Sequence, residues 1–101
     1  MVNITREMAK SRLDNAVQDK QFWCQDGRVI KSLAELELAL KNMSDETFQY
    51  HSTKARPDFS NWVRDVFGDD KLSRDLLNSD TRTKAAKSVA DRISWLKNKA
   101  R

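Results

Sequence analysis

One histidine and one cysteine limit the covalent chemistry this chain can offer. A nucleophile–base pair would need Cys24 and His51 together at a cleft, the imidazole drawing off the thiol proton. Cys24 sits inside Gln21-Phe22-Trp23-Cys24, an apolar, β-prone run, whereas His51 closes a helical pattern just before a polar loop. The role expected of His51 is therefore structural. A hydrogen bond from its ring to Asp58, or to a backbone carbonyl in the turn, would fix a helix crossing and contribute about 1.5–3 kcal/mol with the ring charged. Asp65, Asp69 and Asp70 gather three carboxylates around Gly68 and raise the question of a divalent cation. Their spacing lacks the alternating oxygen ligands and closing glutamate of an EF-hand, and helix capping accounts for Asp69 and Asp70 without a metal. With a single cysteine, an internal disulfide and a cysteine-built zinc site are both excluded.

The cations offer a different chemistry, phosphate neutralisation. The formal charge is +4, yet Lys71 to Arg101 carries nine Lys/Arg against three Asp, a local +6 that leaves −2 for the rest. Arg82, Lys84, Lys87, Lys97 and Lys99 could meet a nucleic-acid backbone, and Trp95 could stack on a base. A solvated helix face is the competing reading, since these cations spread around the helix rather than forming a stripe. A helix-turn-helix across Gly68 is disfavoured. Its recognition helix would present Asp69, Asp70 and then Asp75 to the phosphates.

These side chains must be positioned by a single domain of 101 residues, 39% apolar and 34% charged, a balance that suits amphipathic helices with narrow buried stripes. No apolar run approaches the ~20 residues of a membrane span, and MVNITREMAK has no apolar signal region, so a cytoplasmic protein is expected. Asn3 or Thr5 is placed to cap a first helix from about Arg6 to Asp19, with a thin stripe of Met8, Leu13, Ala16 and Val17. Phe22-Trp23 and Val29-Ile30 flank Asp26-Gly27, a tight-turn signal, so a hairpin over about residues 21–30 follows. Ser32 and Glu35 form a capping box opening a helix whose Leu33, Leu36, Leu40 and Met43 recur at helical spacing. Ser44 starts the next helix, anchored by Phe48. Pro57 forces Arg56 out of helical geometry, and Asp58 or Ser60 caps a helix bearing Phe59, Trp62, Val63 and Val66, which we expect to be the central post. Gly68 suits a left-handed stop. Asp69 or Asp70 caps a helix with Leu72, Leu76 and Leu77 inward, and a last helix runs from about Arg82 to Lys97 with Ala86, Val89, Ile93 and Leu96 as its seam. The sum is a mainly α fold, a compact bundle of about five to six short helices with one small hairpin, without repeats or low-complexity segments.

Several of these signals together resemble a small archaeal and bacterial family of domains of unknown function. The resemblance is carried by Phe22-Trp23, Asp26-Gly27, the Leu33-Leu36-Leu40-Met43 helix, Phe48, His51, the Asp58-Phe59-Ser60-Asn61-Trp62-Val63 block and Phe67-Gly68-Asp69. It covers about residues 22 to 97, with DFSNWVRDVFGD its most specific part, and Pro57 replaces the Asn common before the Asp. It implies a helical module over 21–101, with residues 1–20 as an N-terminal extension, no established enzymatic activity, and a structural unit of His51, Asp58, Trp62 and Gly68. No catalytic, cofactor or metal residue is expected. The leading expectation is a non-enzymatic protein-interaction or adaptor module contacting a protein partner, or a second copy of itself, through Met8, Leu13, Val17, Phe22, Trp23 and Val29. The alternative is a nucleic-acid-binding protein using the basic C-terminal helix.

Overall fold

The structure, a computed structural model, describes residues 3–101. Six α-helices, one 3-10 turn (Gln18–Lys20) and one two-stranded hairpin make up the regular elements among them: α1 (Arg6–Leu13), β1 (Phe22–Trp23), β2 (Val29–Ile30), α2 (Leu33–Asn42), α3 (Asp45–Tyr50), α4 (Asp58–Phe67), α5 (Asp70–Leu77) and α6 (Arg82–Lys99). This is the mainly α bundle with a small hairpin that the periodicity predicts. No helix among the described residues is long and apolar enough to cross a membrane.

Helix starts follow side-chain chemistry. Thr5, Ser32, Ser44, Asp69 and Thr81 each accept an N–H from the first turn of the helix they precede, satisfying a donor that the helix itself leaves free. Gly68 takes the left-handed conformation at φ 68° and ends α4, while Gly27 at φ 95° makes the hairpin turn. The register pairs Phe22 with Ile30 and Trp23 with Val29.

The last turn of α2 has an unusual finish. Its final four carbonyls are all met by arginines from distant elements. Arg28, beside the hairpin turn, donates to the Ala39 and Asn42 carbonyls, each at 3.3 Å. Arg82, opening α6, donates to those of Leu40 at 3.0 Å and Lys41 at 2.9 Å, and its Nε reaches Asp45 at 3.0 Å. Cations at a helix C-terminus also oppose the negative end of its dipole. Two side chains thus fasten the hairpin and α6 to one helix end.

Four expectations need correction. The central post is α6, not α4: α6 lies along α2, α1 and α5, whereas α4 packs chiefly on α5. Its 18 residues bury Ala85, Ala86, Val89, Arg92, Ile93 and Leu96, enough to serve several neighbours. The first helix ends at Leu13 rather than near Asp19. Asp14 is extended and its carboxylate accepts the Asn15 N–H at 2.8 Å, a local bond that competes with helix continuation. Neither Asp58 nor Ser60 caps α4, which starts behind Pro57 without a side-chain cap. The Ser60 hydroxyl instead donates to the Ser73 carbonyl at 2.8 Å and tethers α4 to α5. Finally, Leu77 points outward, because Leu72, Ser73 and Leu76 already fill the buried arc of that short helix.

Candidate functional site

His51 is buried and both its ring nitrogens are engaged. The Gln25 backbone N–H donates to Nε2 at 3.0 Å, which makes Nε2 the acceptor. The proton therefore sits on Nδ1, which donates to Asp58 Oδ2 at 2.8 Å. Asp58 returns the contact through its backbone N–H, which donates to the His51 carbonyl at 2.8 Å. The ring also lies against Phe22, Phe59 and Tyr50, with centroids 5.1, 5.3 and 4.9 Å away. Nearby, Trp62 Nε1 donates to the Lys20 carbonyl at 2.8 Å, and its ring meets Phe22 and Phe67 edge-on. His51, Asp58 and Trp62 thus hold the 3-10 turn before the hairpin, and the hairpin's own turn, against α3 and α4. This geometry leaves His51 no free lone pair for the Cys24 thiol. Cys24 is buried, and burial pushes its thiol up from the ordinary value, with the Asp26 carboxylate beside it adding to the effect. Partial desolvation would raise Asp26, but the Arg28 N–H, the Cys24 thiol and the Arg28 guanidinium 3.3 Å away outweigh that and hold it below the usual carboxylate range.

The three carboxylates around Gly68 go separate ways. Asp65 is exposed and paired with Arg64 at 3.1 Å, and Asp70 is exposed in the first turn of α5. Asp69 is fully buried, where its Oδ2 accepts from Arg92 Nε at 2.8 Å and lies 3.8 Å from Arg12 Nη1. Its Oδ1 accepts the Leu72 N–H at 3.1 Å, and Arg12 also donates to the Gly68 carbonyl at 3.0 Å. Two guanidiniums stand where the metal reading would place a cation. Sequence reasoning missed this cluster. Its signal was an arginine at a seam position of α6, since Arg92 shares a buried face with Val89, Ile93 and Leu96.

The cations proposed for nucleic acid divide in two. Arg82 is engaged on α2, while Lys84 and Lys87 lie exposed beside Asp80 and Asp91 at 3.1 and 2.7 Å, Lys84 holding the Asp80 carboxyl below its ordinary range. Trp95 is 44% exposed with the Arg92 guanidinium 4.6 Å from its ring centre. Lys97 and Lys99 are exposed and make no ion pair among the described residues.

The proposed protein-contact residues also separate. Phe22 is buried among His51, Phe59 and Trp62, so it belongs to the core and not to a contact surface. The alternation of a strand sends its neighbour the other way, and Trp23 is 74% exposed. Met8 and Leu13 are half-buried, Leu13 packed against the core, and Val17 is exposed in the extended segment after α1. Val29 is half-buried opposite Trp23. The Cys24 N–H donates to the Arg28 carbonyl at 2.9 Å, which makes Trp23 and Val29 the wide, non-hydrogen-bonded pair whose side chains approach closely. Val29 in turn lines an open groove of about 560 Å³ with Arg28, Ile30, Glu35, Ala39 and Leu38. Leu38, on α2, is 62% exposed and was not among the residues singled out beforehand. Its position off the Leu33–Leu36–Leu40 stripe was the available clue. Trp23, Val29 and Leu38 together form an apolar platform on the hairpin and α2, fixed because Arg28 ties the two elements together.

Compared with known proteins, the chain matches no family model, no curated protein and no solved structure. The family resemblance rests on its motif residues alone.

Proposed function

We propose that this chain is a non-enzymatic, cytoplasmic protein-interaction module whose hairpin and α2 present an anchoring surface to a protein partner. The observation that carries the reading is Trp23, a tryptophan left 74% exposed opposite Val29, which in turn shares a groove with the exposed Leu38. Exposed tryptophans in contiguous apolar patches are characteristic of binding hot spots. Covering Trp23 would remove on the order of 150 Å² from water, worth about 4 kcal/mol of gross driving force. The platform is also held in place before binding, which lowers the ordering cost of association. A stable dimer needs about 800 Å² per partner, more than three side chains supply. The occupant that fits is therefore a short apolar segment of another protein rather than a tightly held second copy.

The test places a photo-crosslinking side chain at position 38 and isolates what it captures in cells, followed by titration of that partner with purified protein. Trp23→Ala is expected to weaken the partner at least tenfold while changing stability by less than about 0.5 kcal/mol, as exposed positions do. Unchanged affinity in a folded Trp23→Ala protein would remove the platform from consideration.

A further inference from the structure

Where the net charge resides points to a second surface, independent of the hairpin platform. Helix α1 packs along α6, and Arg6 Nε donates to the Ala100 carbonyl at 3.2 Å, so the beginning of α1 lies against the end of α6. Lys97, Lys99 and Arg101 all fall within one turn, about 5 Å of helix rise, of that carbonyl. Lys10 follows Arg6 one turn along α1. All five cations are exposed. The acid within this group is Glu7. These are five of the nineteen cations and one of the fifteen acids, which leaves fourteen of each elsewhere, so the corner accounts for the whole +4.

Pairing sharpens the contrast along α6. Lys84 has Asp80, just before the helix, at 3.1 Å, Lys87 has Asp91 one turn on at 2.7 Å, and Arg82 and Arg92 are engaged on α2 and Asp69. None of the five corner cations makes an ion pair among the described residues. We propose that this α1–α6 corner binds the phosphate backbone of a nucleic acid, without reading its sequence. Among the described residues, the large exposed apolar side chains are Val17, Trp23, Leu38, Tyr50, Leu77 and Trp95. None belongs to the corner, and Trp95, a turn before it, carries Arg92 against its ring. Among the described residues the corner therefore lacks the apolar wedge of a membrane-surface helix and the apolar centre of a protein interface. Unpaired cations on long flexible stems suit a repeating line of phosphates, where each contact releases a counterion.

The experiment is fluorescence anisotropy with a mixed-sequence 20-base-pair DNA duplex over 50–200 mM NaCl. With all five cations engaged, the log–log slope approaches about −4.5, a loss of about 500-fold across that range. Lys97→Gln/Lys99→Gln is expected to make the slope shallower by about 2 and to weaken binding at 50 mM at least tenfold, and Arg6→Gln/Lys10→Gln, on the other helix, to do likewise. Lys84→Gln/Lys87→Gln and Trp23→Ala should leave both quantities unchanged. Absence of binding at 50 mM overturns the proposal. So does equal loss in the Lys84/Lys87 pair, or retention on phosphatidylserine vesicles without binding to the duplex.

Discussion

Removing the Asp69 carboxylate should destabilise this fold more than any other single charge change. Asp69 is fully buried and faces Arg92 and Arg12, whose side chains are themselves only 7% and 10% exposed. Asp69→Ala would leave two guanidiniums buried opposite a methyl group, and breaking one side of a buried ion pair typically costs about 3–5 kcal/mol. About 1 kcal/mol of cap energy at α5 is lost with it. Against a total stability of about 5–15 kcal/mol for such a domain, that is a large fraction. In urea, with a slope of roughly 1–3 kcal/mol per molar, the combined loss of about 4–6 kcal/mol should lower the midpoint by about 2 M or more, and Tm by roughly 16–48 °C. Tryptophan fluorescence reads the transition, Trp62 being buried beside Phe22 and Phe67. Asp69→Asn separates the two contributions, since its side-chain oxygen can still accept the Leu72 N–H while the charge is gone. Combining it with Arg92→Met should cost less than the sum of the single changes, with a coupling of about 1–3 kcal/mol. A midpoint within about 0.5 M of the parent for Asp69→Ala, or strict additivity in that cycle, would refute the view that the cluster acts as a charge-compensated unit.

Two further expectations follow from local geometry. Gly68→Ala should cost about 1–2 kcal/mol by denaturant titration, because its φ of 68° disfavours a side chain even though nothing lies within 4 Å of the added Cβ. The Cys24 thiol, pushed up by burial, should react slowly with a thiol reagent near neutral pH, and in urea the reaction should be fast. Since the fold favours the neutral thiol, its contribution to stability is complete below the unfolded-chain value and fades as pH rises through the raised folded one. Labelling at equal rates in folded and unfolded protein would contradict the burial.

Much of the fold is legible wherever one residue type has one local use. Ser32 and Glu35 announce a helix start, and Ser32 Oγ does accept the Glu35 N–H at 3.1 Å, the Glu35 carboxylate returning to the Lys31 N–H. Gly27 and Gly68 mark the two left-handed positions, and the leucine spacing of α2 marks its buried face. What could not be read is the destination of the arginines. Arg12, Arg28 and Arg82 look like surface charge in sequence, and the seam position of Arg92 names no partner, yet each reaches across the fold to a carbonyl or carboxylate 11 to 57 residues away. A charge pattern records local spacing and carries nothing about such partners. The hairpin shows the same limit on a smaller scale. Alternation dictates that Phe22 and Trp23 face opposite ways, but only the placement of α3 and α4 decides which of them is covered.

The anchoring of α1 also sets an order of events during synthesis. Its partners are Asp69, Gly68 and Ala100, the last 94 residues further along the chain. At roughly 5–20 residues per second, α1 leaves the ribosome about 5–20 s before α6 is complete. An eight-residue helix is marginal by itself, so it cannot hold its shape through that interval. Although made well before α6, α1 can therefore complete its docking, and Arg12 its buried cluster, only once α5 and α6 are in place.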